Sequence, residues 1–307
     1  MSSSLPEPLT VRAATDADAE PVAELSAAAE RAVRGEADID AADIRDWWRL
    51  IDLEKSSWVI EDRGSIVAAA TLFTRGLVPS VWGDVHPEHN GRGLGSTLLD
   101  LTEARARERD AATIRQEAFG ANRSARMLFE ARGYRHVRTQ YTMRIDLDDE
   151  PPPEPEWPDG LRPKPFRIED AEAFYAAQTE AFEDEWGFVA LPFEEWRKLR
   201  LEADDFDPSV WTLVRDGDEV AAVVRCDAFR YGGGWVGLIG VRRRWRRRGL
   251  GLALLQHTFR LFHQRGERRV GLGVDSANPT GATRLYERAG MYVEAEEVSY
   301  ERQLERS

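Results

Sequence analysis

The residues that most directly suggest chemistry are Val241-Arg-Arg-Arg-Trp-Arg-Arg-Arg-Gly-Leu-Gly-Leu252. An apolar run ends there and a helical pattern begins. Glycine lacks the Cβ that keeps a bulky anion away from the backbone. The first N–H groups of a helix, with the helix dipole behind them, attract phosphate, and arginines can add charge-assisted bonds. Three readings follow: a phosphate cradle for a nucleotide-like ligand, a basic nucleic-acid patch, or a solvated loop.

The formal net charge of −13 opposes nucleic acid and anionic membranes. The same loop also occurs a second time without the arginine run. Asn90-Gly-Arg-Gly93-Leu-Gly95 corresponds to Arg246–Gly251, an offset of 156 residues at Gly93 and Gly249. Both observations favour the cradle.

Other chemistry is excluded or discounted. One cysteine, Cys226, rules out an internal disulfide and a cysteine metal cluster, and its strand pattern makes it a core residue. Five scattered histidines form no cluster, and His86 and His89 lack a third ligand, so no metal is expected. Gly232–Gly237 matches a dinucleotide pattern but precedes a strand, and so reads as a turn. The longest apolar stretch, Ile66–Phe73, is far too short for a membrane helix. With no secretory leader in Met1–Pro6, a cytoplasmic protein is expected.

The elements that position these loops repeat. Strand-like stretches Ser80–Val85 and Trp235–Val241 precede the loops, and helical stretches follow them. Strand-like Thr113–Phe119 and Arg269–Val274 come next. Asparagine-led helices then end at Gly133 and Gly290. Asp62-Arg-Gly64 and Asp216-Gly217 mark hairpins. Helices are expected over Ile44–Leu50 and Phe193–Leu201, and a helix led by Asp16 runs over Leu25 and Ala32. Tyr134–Ile145 and Tyr292–Glu301 read as the last strand of each half. Between the halves, Asp146–Pro165 holds seven of the fifteen prolines and reads as an extended linker outside any sheet. The pattern is a duplicated α/β domain.

Loop and asparagine helix together resemble the GNAT N-acetyltransferase superfamily. The first signature is Arg246-Arg-Arg-Gly249-Leu-Gly251; the second is Asn278-Pro-Thr-Gly-Ala282-Thr-Arg-Leu285-Tyr286-Glu-Arg-Ala-Gly290. The resemblance covers nearly the whole chain, once per half, and the tandem arrangement is similar to that of mycothiol-synthase-like actinobacterial proteins. It implies an α/β (α+β) fold of two tandem domains, each a splayed mixed β-sheet flanked by helices. The expected limits are 1–147, a linker 148–165, and 166–307.

The resemblance implies acetyl-CoA as co-substrate and a small-molecule amine as acceptor, with no nucleic acid, membrane or metal. Ile239, Gly240 and Val241 would bond the pantetheine arm. Arg246, Arg247, Arg248, Gly249, Leu250, Gly251 and Leu252 would wrap the pyrophosphate, and Asn278 would approach from the next helix. Tyr286 would protonate the departing thiolate. In the N-terminal half Phe129 stands at that position and Asn90 at the first loop position, so catalysis is assigned to the C-terminal half.

A fourth-strand carboxylate, a frequent base in the family, is missing from Trp235–Val241. Asp275, the cluster Glu183-Asp184-Glu185 and a water chain stay open as the base. Glu183, Asp184 and Trp186 are the candidate acceptor wall. An amino-sugar thiol as acceptor, or a non-catalytic acyl-CoA binder, are the alternatives.

Overall fold

The computed structural model describes residues 7–49, 51–74, 77–185, 188–203, 205–278 and 280–305. Two compact units divide the chain. The first contains residues 1–140 and 295–307; the second contains 141–294.

Along the first unit run β1 (Leu9–Arg12), α1 (Ala19–Arg34), α2 (Ala41–Trp48), α3 (Leu53–Ser56), β2 (Ser57–Asp62), β3 (Ser65–Phe73), β4 (Ser80–Val85), α4 (Leu94–Glu108), β5 (Thr113–Phe119) and α5 (Arg123–Ala131). β6 (Arg135–Asp146) starts there and passes into the second unit at Tyr141. Then come β7 (Leu161–Pro165), α6 (Ala171–Phe182), α7 (Phe193–Leu201), β8 (Thr212–Asp216), β9 (Glu219–Arg230), β10 (Gly233–Val241), α8 (Leu250–Gln264), β11 (Arg269–Asp275) and α9 (Ala282–Arg288). β12 (Tyr292–Gln303) returns to the first unit at Ala295.

Local chemistry fixes the elements. α1 starts after a capping box in which Thr15 and Asp18, rather than Asp16, satisfy the free amides. It stops at Gly35, whose φ of 89° breaks the helix. Val22, Leu25 and Ala29 line its buried face. β3 is buried on both faces from Val67 to Leu72, as an interior strand requires.

The sheet order in the first unit is β1-β2-β3-β4-β5-β12, and in the second β6-β11-β10-β9-β8-β7. The pairs β1–β2, β2–β3, β3–β4 and β5–β12, and β7–β8, β8–β9 and β9–β10, are antiparallel, while β4–β5 and β10–β11, beside the glycine loops, are parallel. The duplicated mixed sheet is therefore as expected.

Two features differ from expectation. First, the chain's last strand does not serve the half that precedes it. Glu297–Gln303 pairs antiparallel with β5, from Glu297↔Phe119 to Gln303↔Thr113. Val298, Tyr300 and Leu304 are buried in the core of the first unit. The two units thus exchange their terminal strands, and their limits do not follow the repeat limits. Equivalent strands of a duplicated domain fit equivalent edges, so the local pattern cannot say which edge each takes.

Second, the proline-rich segment is not wholly outside the sheet. Leu161–Pro165 forms β7, with Pro163 opposite Val214 and Pro165 opposite Thr212. β7 is the edge strand, where a missing N–H leaves no ladder bond unmade. The segment before it is anchored: Arg260 donates to the Pro152 carbonyl at 2.6 Å, and Trp157 packs edge-on to His257.

Candidate active site

In the second unit, β10 and β11 pair in register only from Gly234↔Val270 to Val236↔Leu272, while β10 continues to Val241. On its other edge β10 stays paired with β9 as far as Val241↔Ala222, with a register shift between Val236 and Leu238. A bulge at that point turns the strand and increases its twist. The two parallel strands separate there. Ile239, Gly240 and Val241 are left with one edge free of a registered partner, and an extended amide-bearing arm can complete it as an added strand. In the first unit β4–β5 pairing reaches Trp82↔Glu117, two residues beyond the repeat equivalent of Val236. No register shift interrupts β3–β4 there.

After β10 the chain turns through Arg243–Trp245. Trp245 is 1% exposed, and its indole N–H donates to Asp216 Oδ2 at 2.8 Å. This buried anchor fixes the loop ahead of α8. Arg247 and Gly249 both have left-handed backbone, φ 62° and 82°, as Gly91 and Gly93 do in the other repeat. Alternating hand turns successive N–H groups toward one concave side. A Cβ on Gly249 would meet nothing within 4 Å, so that side is open. A Cβ on Gly251 would lie 3.0 Å from Leu285. One glycine therefore shapes the turn, and the other lets α8 approach α9. Leu250 is buried beneath them and Leu252 is half-buried.

The arginines divide by role. Arg246 donates to the carbonyls of Val241 and Ala181, each at 3.0 Å, and so ties the loop to β10 and α6. Arg242 pairs with Glu180, and Arg244 with Glu219. Arg243 pairs with Glu183 at 3.0 Å and Asp184 at 2.7 Å. Among the described residues, Arg247 and Arg248 make no ion pair and are exposed. Their guanidiniums can reach a phosphate; the guanidinium of Arg246 is already committed, and its backbone N–H donates to the Arg243 carbonyl at 3.3 Å.

Tyr286 lies on α9, 7% exposed, within the hydrophobic core of the unit. Burial, together with the nearby charge of Glu185, raises the phenol above its ordinary pKa, so it keeps its proton. Glu185 Oε1 accepts from Asn278 Nδ2 at 2.8 Å. Asn278 Oδ1 in turn accepts from the N–H and hydroxyl of Thr280. Asn278 is thus bonded to Glu185, and the charge of Glu185 acts on the Tyr286 phenol.

Asp184 and Glu183 face the loop instead. The Arg243 guanidinium holds the Asp184 carboxyl below the usual carboxylate range. Asp275 accepts from Ala277 N–H at 2.9 Å and shapes the turn after β11. Trp186 lies outside the described residues.

In the first unit Phe129 is a core residue, its ring 6.0 Å from Tyr134 and 5.6 Å from Tyr300. Two carboxylates there went unnoticed in the sequence. Asp84, the repeat equivalent of Gly240, accepts from Ser26 at 2.7 Å and Trp82 at 3.2 Å, and burial pushes it up to about 6. Burial and Glu297 push Glu117 up to about 7. The offset of 156 could have located Asp84. In the second unit Arg225 was missed within an apolar strand: its guanidinium donates to the Gly237 carbonyl at 3.2 Å, at the bulge. No group of metal-ligating side chains occurs among the described residues, and none of the described helices is long and apolar enough to cross a membrane. Cys226 is buried in the core.

The model of the acetyltransferase (GNAT) family matches residues 20–134 and 166–291. A mycothiol acetyltransferase of Thermobispora bispora is 34% identical, over 71% of this chain and 74% of its own. Another, from Catenulispora acidiphila, is 29% identical over 95% and 97%. A solved GCN5-related N-acetyltransferase from Sphaerobacter thermophilus aligns with TM-score 0.86 and 36% identity, covering 98% of this chain and 97% of that one. A tandem GNAT protein from the clavulanic acid biosynthesis pathway shares the fold, with TM-score 0.75 at 17% identity over 97% and 99%.

Proposed function

The chain belongs to the acetyltransferase (GNAT) family and carries two of its domains, and from that premise we propose that the second unit transfers an acetyl group from acetyl-CoA to a primary amine of a small molecule. The observation that carries this reading is the coincidence of three features in that unit. They are the early splay of β10 from β11, the open glycine loop, and a buried tyrosine that keeps its proton, with Glu185 near it.

On this reading the amides of the Arg247–Leu252 segment, with the side chains of Arg247 and Arg248, hold the pyrophosphate. The free edge of Ile239–Val241 bonds the pantetheine amides. Bound acetyl-CoA supplies a thioester carbonyl for direct attack. Glu185 takes a proton from the acceptor's ammonium and leaves a neutral amine. As nitrogen bonds to the acetyl carbon and the C–S bond breaks, Tyr286 gives its phenolic proton to the sulfur, and the second proton lost from the acylated nitrogen restores the phenol. Asn278 fixes the carboxylate of Glu185 by the bond to its Oε1. Asp184 and Glu183 serve as ion-pair anchors of the loop.

The N-terminal unit lacks the tyrosine, and its β4 stays paired further. We assign it no turnover. An acceptor that is an amino-sugar thiol is the second reading, favoured by relatives named mycothiol acetyltransferase. Transfer in the cytoplasm fits either acceptor. Thiol release from acetyl-CoA across an amine panel that includes an amino-sugar thiol tests the activity and separates the two. A protein that binds acetyl-CoA but releases no thiol with any amine would be a binder instead.

A further inference from the structure

Gly273 lies on β11, which the sheet order places between β6 and β10. It is exposed, while Leu272 and Val274 on either side of it are buried. Glycine inside a strand weakens it, because it costs more backbone entropy and adds no packing. A left-handed φ, or a neighbour that leaves no room for a Cβ, would require it all the same. Gly273 meets neither condition. It is not among the left-handed glycines, and a Cβ built on it would meet nothing within 4 Å. The remaining reason for such a glycine is the close approach of a ligand.

Gly271, two residues earlier on the same face, shows the contrast. A Cβ there would lie 2.6 Å from the Trp235 ring and 2.8 Å from Arg144 Nη1, so the indole requires that glycine. The first unit has Arg115 and Glu117 at these two positions, 156 residues earlier. β5 therefore carries side chains where β11 carries none.

The open position faces the side from which an acceptor must come. On β10, Trp235, Leu238 and Gly240 stand opposite Asp227, Arg225 and Val223 of β9, which alternate along one face. Trp235 is registered with Gly271, so Gly271 and Gly273 continue that face. α6 covers its far end, since a Cβ on Gly240 would lie 2.8 Å from Ala181. Val241 points to the other face. There a Cβ on Gly251 of α8 would lie 3.8 Å from Val241 and 3.0 Å from Leu285 of α9. The glycine loop and Tyr286 thus serve the thioester from the α8–α9 face, and the amine attacks from the opposite one. On that face Gly273 is uncovered, one residue past the last registered pair of β10 and β11. Trp235 bounds the opening on one side and the end of α6 on the other. At ~3.3 Å per residue, Gly271 to Asp275 spans about 13 Å. A ring fills that length, and a straight alkyl chain would leave its width empty.

Resting on the reading of the second unit as the transfer site, we propose that Gly273 determines which acceptors it takes. The room left by the missing side chain receives the body of the acceptor, whose amine sits on a ring or branched carbon rather than on a straight chain.

The test uses the full chain, acetyl-CoA and two probe amines, cyclohexylamine and n-butylamine. Gly273→Val puts a branched side chain into open space on a strand backbone that favours it. The variant should therefore melt no lower than the parent and bind acetyl-CoA with the same affinity by calorimetry. The parent should release thiol faster with cyclohexylamine than with n-butylamine. Gly273→Val should lower the ratio of the two rates about tenfold or more, the scale of a single excess methyl group in a fitted pocket, and Gly273→Ala should fall between. A lower melting temperature, weaker acetyl-CoA binding, an unchanged ratio, or a parent that prefers n-butylamine would each overturn the proposal. Saturation-transfer NMR of cyclohexylamine on the same proteins reads the site apart from turnover, and no signal on the parent would also overturn it. A signal on the parent that Gly273→Val abolishes, without thiol release from either amine, refutes the transfer reading and leaves the site standing. Thiol release whose ratio ignores Gly273 does the reverse.

Discussion

Replacing Tyr300 should unfold the N-terminal unit from a position near the chain's other end. Tyr300 is 2% exposed, and its ring packs 5.6 Å from Phe129. Its hydroxyl donates to Glu130 at 3.0 Å and accepts from Arg126 at 3.3 Å. Truncating a buried aromatic to alanine costs about 3–5 kcal/mol. That is a large share of the ~5–15 kcal/mol that stabilises a domain. Tyr300→Phe removes only the hydrogen bonds and should cost about 1–2 kcal/mol. Hydrogen exchange followed by mass spectrometry localises the effect. For Tyr300→Ala, amides of Thr113–Phe119 should exchange about 10²–10⁴-fold faster, at ~1.4 kcal/mol per decade. Amides of β9 and β10 should change little. Equal loss of protection in both units, or an unchanged β5, would refute the exchange of terminal strands.

Tyr286→Phe should lower kcat by about 10²–10⁴-fold with acetyl-CoA affinity retained, because the ring's packing is kept and only the transition-state proton is lost. A kcat within about twofold of the parent would mean that another group serves the sulfur. The N-terminal unit should lose stability as pH rises. Asp84 is raised from 3.8 to about 6, so the folded state binds a proton that the unfolded chain releases, and its stabilisation is complete below about 4 and gone above about 6. Asp84→Asn should therefore stabilise at pH 8 by about 1–3 kcal/mol relative to its effect at pH 4; denaturant midpoints at the two pH values check this, and a pH-independent difference would contradict it.

The duplicated sheet was legible because each half repeats the same strand, glycine loop and asparagine helix, each with a local signature. Gly249 and Gly251 stand out by the repeat offset, and Tyr286 by its place in a pattern that resembles the family's second signature. What was not legible depends on contacts distant in sequence. Tyr300 bonds to Glu130, 170 residues away in sequence, and packs in the core of the first unit. The guanidinium of Arg246 looks in the sequence like a phosphate ligand, yet the carbonyls of Val241 and Ala181 occupy it. Glu183, Asp184 and Glu185 are equal as a run of acids. Only packing sends Glu185 to Asn278 and the other two to Arg243. Pro163 and Pro165 read as strand breakers, and an edge position accommodates them. Arg225 hides in an apolar run because its partner is a carbonyl exposed by a bulge.

The central claim is that acetyl transfer takes place in the second unit. The most direct measurement compares thiol release from acetyl-CoA by full-length Gly249→Val and Gly93→Val proteins. Both glycines have left-handed φ, 82° and 81°, and open space around the missing Cβ, so the two substitutions strain their loops alike. Gly249→Val should abolish thiol release and acetyl-CoA binding to the second unit, while Gly93→Val should leave the rate near that of the parent. Loss of thiol release in Gly93→Val, with Gly249→Val active, would contradict the account.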